Sequence, residues 1–117
     1  MEQIKKTRNR KMKYPYYYNI SLSNEELNKI KNYKLNHNQP ISKIIRDHLL
    51  IGGLMEDDQD IINKIKILRK SEEFIYKNQI GFKYTEKMEQ KLKELEEKTG
   101  AYKTSLIRTF LQNSKLI

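Results

Sequence analysis

A chain of 117 residues with 24 Lys plus Arg against 15 Asp plus Glu carries a formal net charge of +9 and fits one compact domain or two very small ones. That length excludes the large barrel and doubly wound enzyme folds, and the lack of cysteine excludes a disulfide framework, a thiolate nucleophile and a Cys-based zinc site. The positive surplus points to a polyanionic partner, and no apolar run approaches the roughly 20 residues that a membrane-spanning helix needs.

Residues 1–23 hold Lys5, Lys6, Arg8, Arg10, Lys11 and Lys13 against Glu2 alone, so +5 of the +9 sits on the first fifth of the chain. Almost nothing apolar precedes Tyr14, so residues 1–16 are expected to form a flexible basic arm that contacts phosphates. No apolar segment of the secretory type follows the basic stretch, and a secretory signal is not expected.

From residue 17 the pattern changes. Tyr18, Ile20 and Leu22 alternate with Tyr17, Asn19 and Ser21, the period of a strand with one buried face. Ser23-Asn24-Glu25-Glu26 reads as a capping box that opens a helix, with Leu27 and Ile30 on its stripe and a polar break at His37-Asn38-Gln39. Pro40 suits the first turn of a second helix, whose apolar face is Ile41, Ile44, Ile45, Leu49 and Leu50 and which Gly52-Gly53 ends. Residues 54–78 form a connecting segment. Ile61, Ile62, Ile65, Leu68 and Ile75 recur there at helical spacing, with acids in front and cations behind, so a connecting helix is expected over about 58–76.

Sliding the chain by 62 positions lays Ser42-Lys43-Ile44-Ile45-Arg46-Asp47-His48-Leu49 on Thr104-Ser105-Leu106-Ile107-Arg108-Thr109-Phe110-Leu111. Both read [ST]-x-[IL]-I-R-x-x-L. The same offset sets Ile20 on Phe82, Leu22 on Tyr84, Ser23 on Thr85, Ile30 on Leu92 and Asn38 on Gly100. Residues 79–117 are therefore a second copy of residues 17–53. In it Ile80, Phe82 and Tyr84 face inward, Gln79, Gly81 and Lys83 face outward, Thr85 caps a helix carrying Met88, Leu92 and Leu95, and Gly100 stops it.

A strand followed by two helices, with S-x-L-I-R-x-x-L in the last, resembles the ribbon-helix-helix DNA-binding proteins, and two copies in one chain are similar to the tandem regulators of archaeal viruses. The resemblance covers residues 17–51 and 79–115. It implies a mainly α fold with a short antiparallel β-ribbon, in which the two repeats form an intramolecular pseudo-dimer joined by the connecting helix. Pairing of each repeat with a second chain is the competing arrangement. It further implies a sequence-specific transcriptional regulator, most simply a repressor, whose ribbon enters the major groove of double-stranded DNA, with self-association on DNA open. Such a protein belongs in the cytoplasm of a prokaryotic or virus-infected cell.

By the same resemblance the base-contacting residues are Tyr17, Asn19, Ser21, Gln79, Gly81 and Lys83. Asn and Gln match adenine, Lys matches guanine, and Ser serves either. Gly81 offers no side chain, so the two half-sites should be read unequally. Phosphate contacts are expected at the start of each second helix, from Ile41, Ser42, Lys103 and Thr104, although Pro40 and Tyr102 stand where the family has a small cap. Arg46 and Arg108 read as structural, each paired with an acid.

His37 and His48 have no carboxylate at ligand spacing, and no phosphate loop, nucleophile elbow or paired-acid constellation is present, so no enzyme, metal site or cofactor is expected. Two other readings compete with the regulator. One is an architectural protein that coats DNA without base readout; the other is an antitoxin-like module whose residues 54–78 bind a protein.

Overall fold

The structure, a computed structural model, describes residues 13–68 and 78–117. It runs β1 (Tyr16–Leu22), α1 (Asn24–His37), α2 (Ile41–Ile51), α3 (Gln59–Leu68), β2 (Asn78–Tyr84), α4 (Glu86–Thr99) and α5 (Lys103–Asn113). The fold is mainly helical with one two-stranded antiparallel sheet. Every boundary of β2, α4 and α5 is the matching boundary of β1, α1 and α2 plus 62. Most of the expected arm, residues 1–12, and the second half of the expected connecting helix lie outside the described residues.

The local causes are repeated along with the boundaries. Ser23 Oγ accepts from the Glu26 amide and Glu26 Oε1 accepts from the Ser23 amide, completing a capping box at α1. Thr85 accepts from the Met88 amide at α4, where the residue that could reach back is a methionine. Both first helices stop on a left-handed residue, Asn38 at φ 51° and Gly100 at φ 74°. Pro40 differs from the expectation: it is the N-cap residue of α2, with extended ψ of 146°, and Tyr102 takes the same place at α5. After the left-handed turn at Asn38 the chain must straighten before α2 begins, and extended backbone at Pro40 does this. Both second helices end in the same hook, with Leu54 N donating to Leu49 O and Leu116 N to Leu111 O, so Leu54 and Leu116 both fold back into the core.

The strands pair within the one chain, in a register centred on Asn19 and Gly81, which are themselves 62 apart. Ile20, Leu22, Ile80, Phe82 and Tyr84 are buried, as the alternation demands. Beneath this sheet each second helix packs on the strand of the other copy, α2 on β2 and α5 on β1, and the two helices pack on each other. Their crossing is close at Gly52, where a Cβ would stand 2.0 Å from Phe110 O, and Asn113 Nδ2 donates to Gly52 O at 2.8 Å. Connecting helix α3 lays Ile62 and Ile65 into the core against α4 and α5, and Lys91 of α4 pairs with Asp57 just before it.

One charge pair lies inside this core. Arg108, 3% exposed, sets both terminal nitrogens against the two carboxylate oxygens of Glu26, with Nη2 to Oε2 at 2.8 Å, and Nη1 also donates to Ser21 O. It thereby ties α5 to the start of α1 and to β1. Burial would raise the Glu26 pKa, but the Arg108 hydrogen bonds and the Ser23 amide outweigh it and hold the carboxyl below its ordinary value. Removing Arg108 leaves the half-buried Glu26 carboxylate uncompensated, whereas an apolar pair of similar volume leaves no charge. Arg108→Ala should therefore lower unfolding free energy by about 3–5 kcal/mol in urea titration, and the double variant Arg108→Met with Glu26→Met by far less. Because the Glu26 pKa is depressed on folding, its contribution is present above the unfolded value and lost as pH falls through the folded one, so the double variant should lose less stability in acid than the wild type.

Candidate nucleic-acid interface

The outer face of the ribbon collects all six residues assigned to base contact. The register sets Tyr17 opposite Lys83, Asn19 opposite Gly81 and Ser21 opposite Gln79, three cross-strand pairs on one face. Tyr17, Asn19, Gln79 and Lys83 are exposed, and Ser21 and Gly81 are half-buried. Gly81 is not an empty place, however. A Cβ there would stand 1.7 Å from the Tyr17 hydroxyl and 2.7 Å from Asn19 Oδ1, so both side chains lean across the centre of the ribbon into the room the glycine leaves. A glycine between two outward residues permits such an approach, and sequence alternation carries no signal of which neighbour makes it.

The strand backbone is anchored from below by the other copy's helix. Lys83 N donates to Ser42 Oγ at 3.1 Å and Arg46 Nη1 donates to Lys83 O at 2.9 Å. At the matching place in β1, Arg108 Nη1 donates to Ser21 O at 3.3 Å, and the Tyr18 hydroxyl shares a hydrogen bond with Thr104 Oγ1. The hydroxyls of Ser42 and Thr104, both assigned to phosphate contact, are thus engaged with the ribbon. What α2 and α5 still offer an anion is their first-turn amides, including those of Ile41, Ser42, Lys103 and Thr104, since neither Pro40 nor Tyr102 makes a side-chain cap bond.

Lys103 is committed inward as well. Its ammonium donates to Glu89 Oε1 at 2.8 Å and to the Tyr84 hydroxyl oxygen at 3.2 Å, and the Tyr84 hydroxyl itself donates to Glu89 Oε1 at 2.8 Å. Burial opposes the charge on Lys103, but the Glu89 and Tyr84 hydrogen bonds prevail and raise its pKa. Burial likewise works against the Glu89 carboxylate, and Lys103 and Tyr84 more than offset it, lowering its pKa. Burial, with the bond to Glu89, pushes Tyr84 up to about 12. Nothing in the sequence pattern marks Glu89, whose place on α4 reads as one of many surface acids.

Of the arm cations, Lys13 is described and exposed, with Nζ 5.5 Å from the Tyr14 ring centroid; Lys5, Lys6, Arg8, Arg10 and Lys11 lie outside the described residues. The tyrosines around Pro15 take separate roles. Tyr16 stacks on Tyr84 with centroids 5.7 Å apart, Tyr18 is half-buried, Tyr17 is 61% exposed, and Tyr14 lies under the Arg46 guanidinium at 3.7 Å. Arg108 meets its expected acid, but Arg46 does not: it stacks on Tyr14 because Met88 stands where the other copy has Glu26. Extending the offset of 62 to that pair would have exposed the difference.

No protein-family model, curated protein or solved structure matches this chain. Among the described residues no helix is long and apolar enough to cross a membrane.

The Tyr84 cluster has a measurable consequence. Between the ordinary tyrosine value near 10 and its folded value of about 12, the folded state keeps a proton that the unfolded chain loses. That contribution to stability is complete below pH 10 and disappears as pH rises towards 12. Ultraviolet titration of the folded protein should therefore show a late phenolate step at about 12, and Tyr84→Phe should remove that step while sparing the others.

Proposed function

We propose that this chain is a sequence-specific double-stranded DNA-binding transcriptional regulator, acting as a repressor in the cytoplasm of a prokaryotic or virus-infected cell, and that its two strand-helix-helix copies form one ribbon-helix-helix pseudo-dimer. The observation that carries the reading is the convergence of Tyr17, Asn19, Ser21, Gln79, Gly81 and Lys83 on one face of a two-stranded ribbon. The major groove, about 12 Å wide, admits such a ribbon, and these side chains supply amide, hydroxyl and ammonium groups of the kind that discriminate base edges. The intertwined packing supports the pseudo-dimer: α2 supports β2 and α5 supports β1, so neither copy's strand is held by its own second helix alone.

The two ends of the ribbon differ. Lys83 brings a cation to one end and Ser21 a hydroxyl to the other, while Tyr17 and Asn19 share the centre with a glycine. The reading therefore calls for an operator with unequal half-sites. The basic arm supplies affinity without sequence preference. The antitoxin-like alternative needs the Ile61/Ile65/Leu68 stripe to be free, and of these Ile65 is buried and Ile61 half-buried.

Selection from random DNA should yield a preferred site, and binding to it should survive excess nonspecific competitor. Asn19→Ala and Lys83→Ala should each cost about 1–3 kcal/mol on the selected site and leave nonspecific affinity nearly unchanged. Equal loss on both DNAs would instead identify an architectural coat protein. Neutralising Lys5 and Lys6 together should reduce the slope of log K against log salt by about 0.9 for each phosphate the arm no longer neutralises, on either DNA.

A further inference from the structure

The two copies meet their motif arginines with different partners. In one, the Arg108 guanidinium hangs from the Ser21 carbonyl and presents two nitrogens to the Glu26 carboxylate. In the other, Arg46 hangs from the carbonyl of Lys83, the residue 62 positions after Ser21, in the matching bond. The residue matching Glu26 is Met88, and among the described residues no carboxylate lies within ion-pair distance of Arg46. Tyr14 holds the guanidinium from one face at 3.7 Å, which leaves its edge available.

Beside that edge lies an open cleft of about 410 Å³, bounded by Tyr14, Arg46, Leu50, Met55, Lys87 and Met88. Its walls are mostly aliphatic. Leu50 is 46% and Met55 39% exposed, a large apolar surface for solvent to meet in so charged a chain. The carboxylate on the wall, Asp47, is held by Lys43 at 2.7 Å. A concave apolar site with a convergent cation is the usual form of a small-ligand pocket, and the half-buried Glu26 shows what an arginine in this pose accepts.

We propose that this cleft binds an amphipathic monocarboxylate, its carboxylate taking at Arg46 the place that Glu26 takes at Arg108 and its hydrocarbon part lying on Leu50, Met55 and Met88. Lys87 adds positive potential at the rim, and a bidentate carboxylate on a stacked guanidinium is among the stronger charge-assisted contacts available. The inference is independent of DNA binding.

The test uses the full chain with methyl-labelled methionine and octanoate as probe, with octanamide and acetate as controls. Octanoate should move the Met55 and Met88 methyl signals saturably, while octanamide, lacking the charge, and acetate, lacking the tail, should move them at least tenfold less at equal concentration. Arg46→Met should weaken octanoate at least tenfold. Met88→Glu should abolish it, read at Met55, because Thr85-x-x-Glu would recreate the Ser23–Glu26 capping box and place an internal carboxylate on Arg46; circular dichroism reports whether the helices persist. No movement of Met55 in the wild type, an equal response to octanamide or acetate, or undiminished binding to a folded Met88→Glu variant would each overturn the proposal.

Discussion

The fold depends on one pairing, that of β1 with β2. Each strand is seven residues with a single apolar face, and an isolated strand of that kind has nowhere to put its backbone donors or its buried side chains. Once Asn19 and Gly81 are opposed, Ile20, Leu22, Ile80, Phe82 and Tyr84 fall on one side and form the roof over the helices. A slip of one residue would turn that set outward, so the register is specified by burial. It is specified again from below, where Ser42 and Arg46 grip the amide and carbonyl of Lys83 and Arg108 grips the carbonyl of Ser21. The polar face that remains outside, with Lys83 its one charge, follows from these bonds.

The repeat of 62 made most of this architecture legible. Strand alternation, the Ser23 and Thr85 caps, the stops at Asn38 and Gly100 and the inward aliphatic stripes all recur in the structure, because each rests on local chemistry that a sequence displays. Less was legible of the site. The six outward ribbon residues could be placed on one face from alternation alone. Their mutual contacts could not, since the reach of Tyr17 across Gly81 depends on the register that opposes Asn19 and Gly81, 62 positions apart. Nor could the inward turn of Lys103, which hinges on Glu89 lying near a strand tyrosine. The arginines show the same division: the motif marks both as structural, but whether each meets an acid is decided by one residue on a different helix.

Lys103 and Arg108 also show how a chain with a +9 charge keeps a dry core. Both cations lie on α5, and each is met by a carboxylate from the first helix of one copy, Glu89 or Glu26. Each cation makes a second bond besides its carboxylate, Arg108 Nη1 to the Ser21 carbonyl and Lys103 to the Tyr84 phenol, which offsets part of its desolvation. The helix that looks most cationic in the motif region therefore contributes little of the external field. On the side of the molecule where Tyr14 and the ribbon meet, Lys83 is exposed and Arg46 half-buried over the tyrosine ring.

Placing two copies in one chain removes a constraint that a homodimer cannot escape. When two identical chains pair, every substitution is made twice, so a carboxylate opposite the arginine in one half must stand opposite it in the other. Here the halves are free to differ. The difference between Glu26 and Met88 converts one buried ion pair into a closed internal brace and leaves its twin open to solvent beside an apolar cleft. The same freedom separates Ser21 from Lys83 and Asn19 from Gly81 on the ribbon. The open arginine also stays tied to the ribbon, since Arg46 donates to the carbonyl of Lys83 as Arg108 does to that of Ser21.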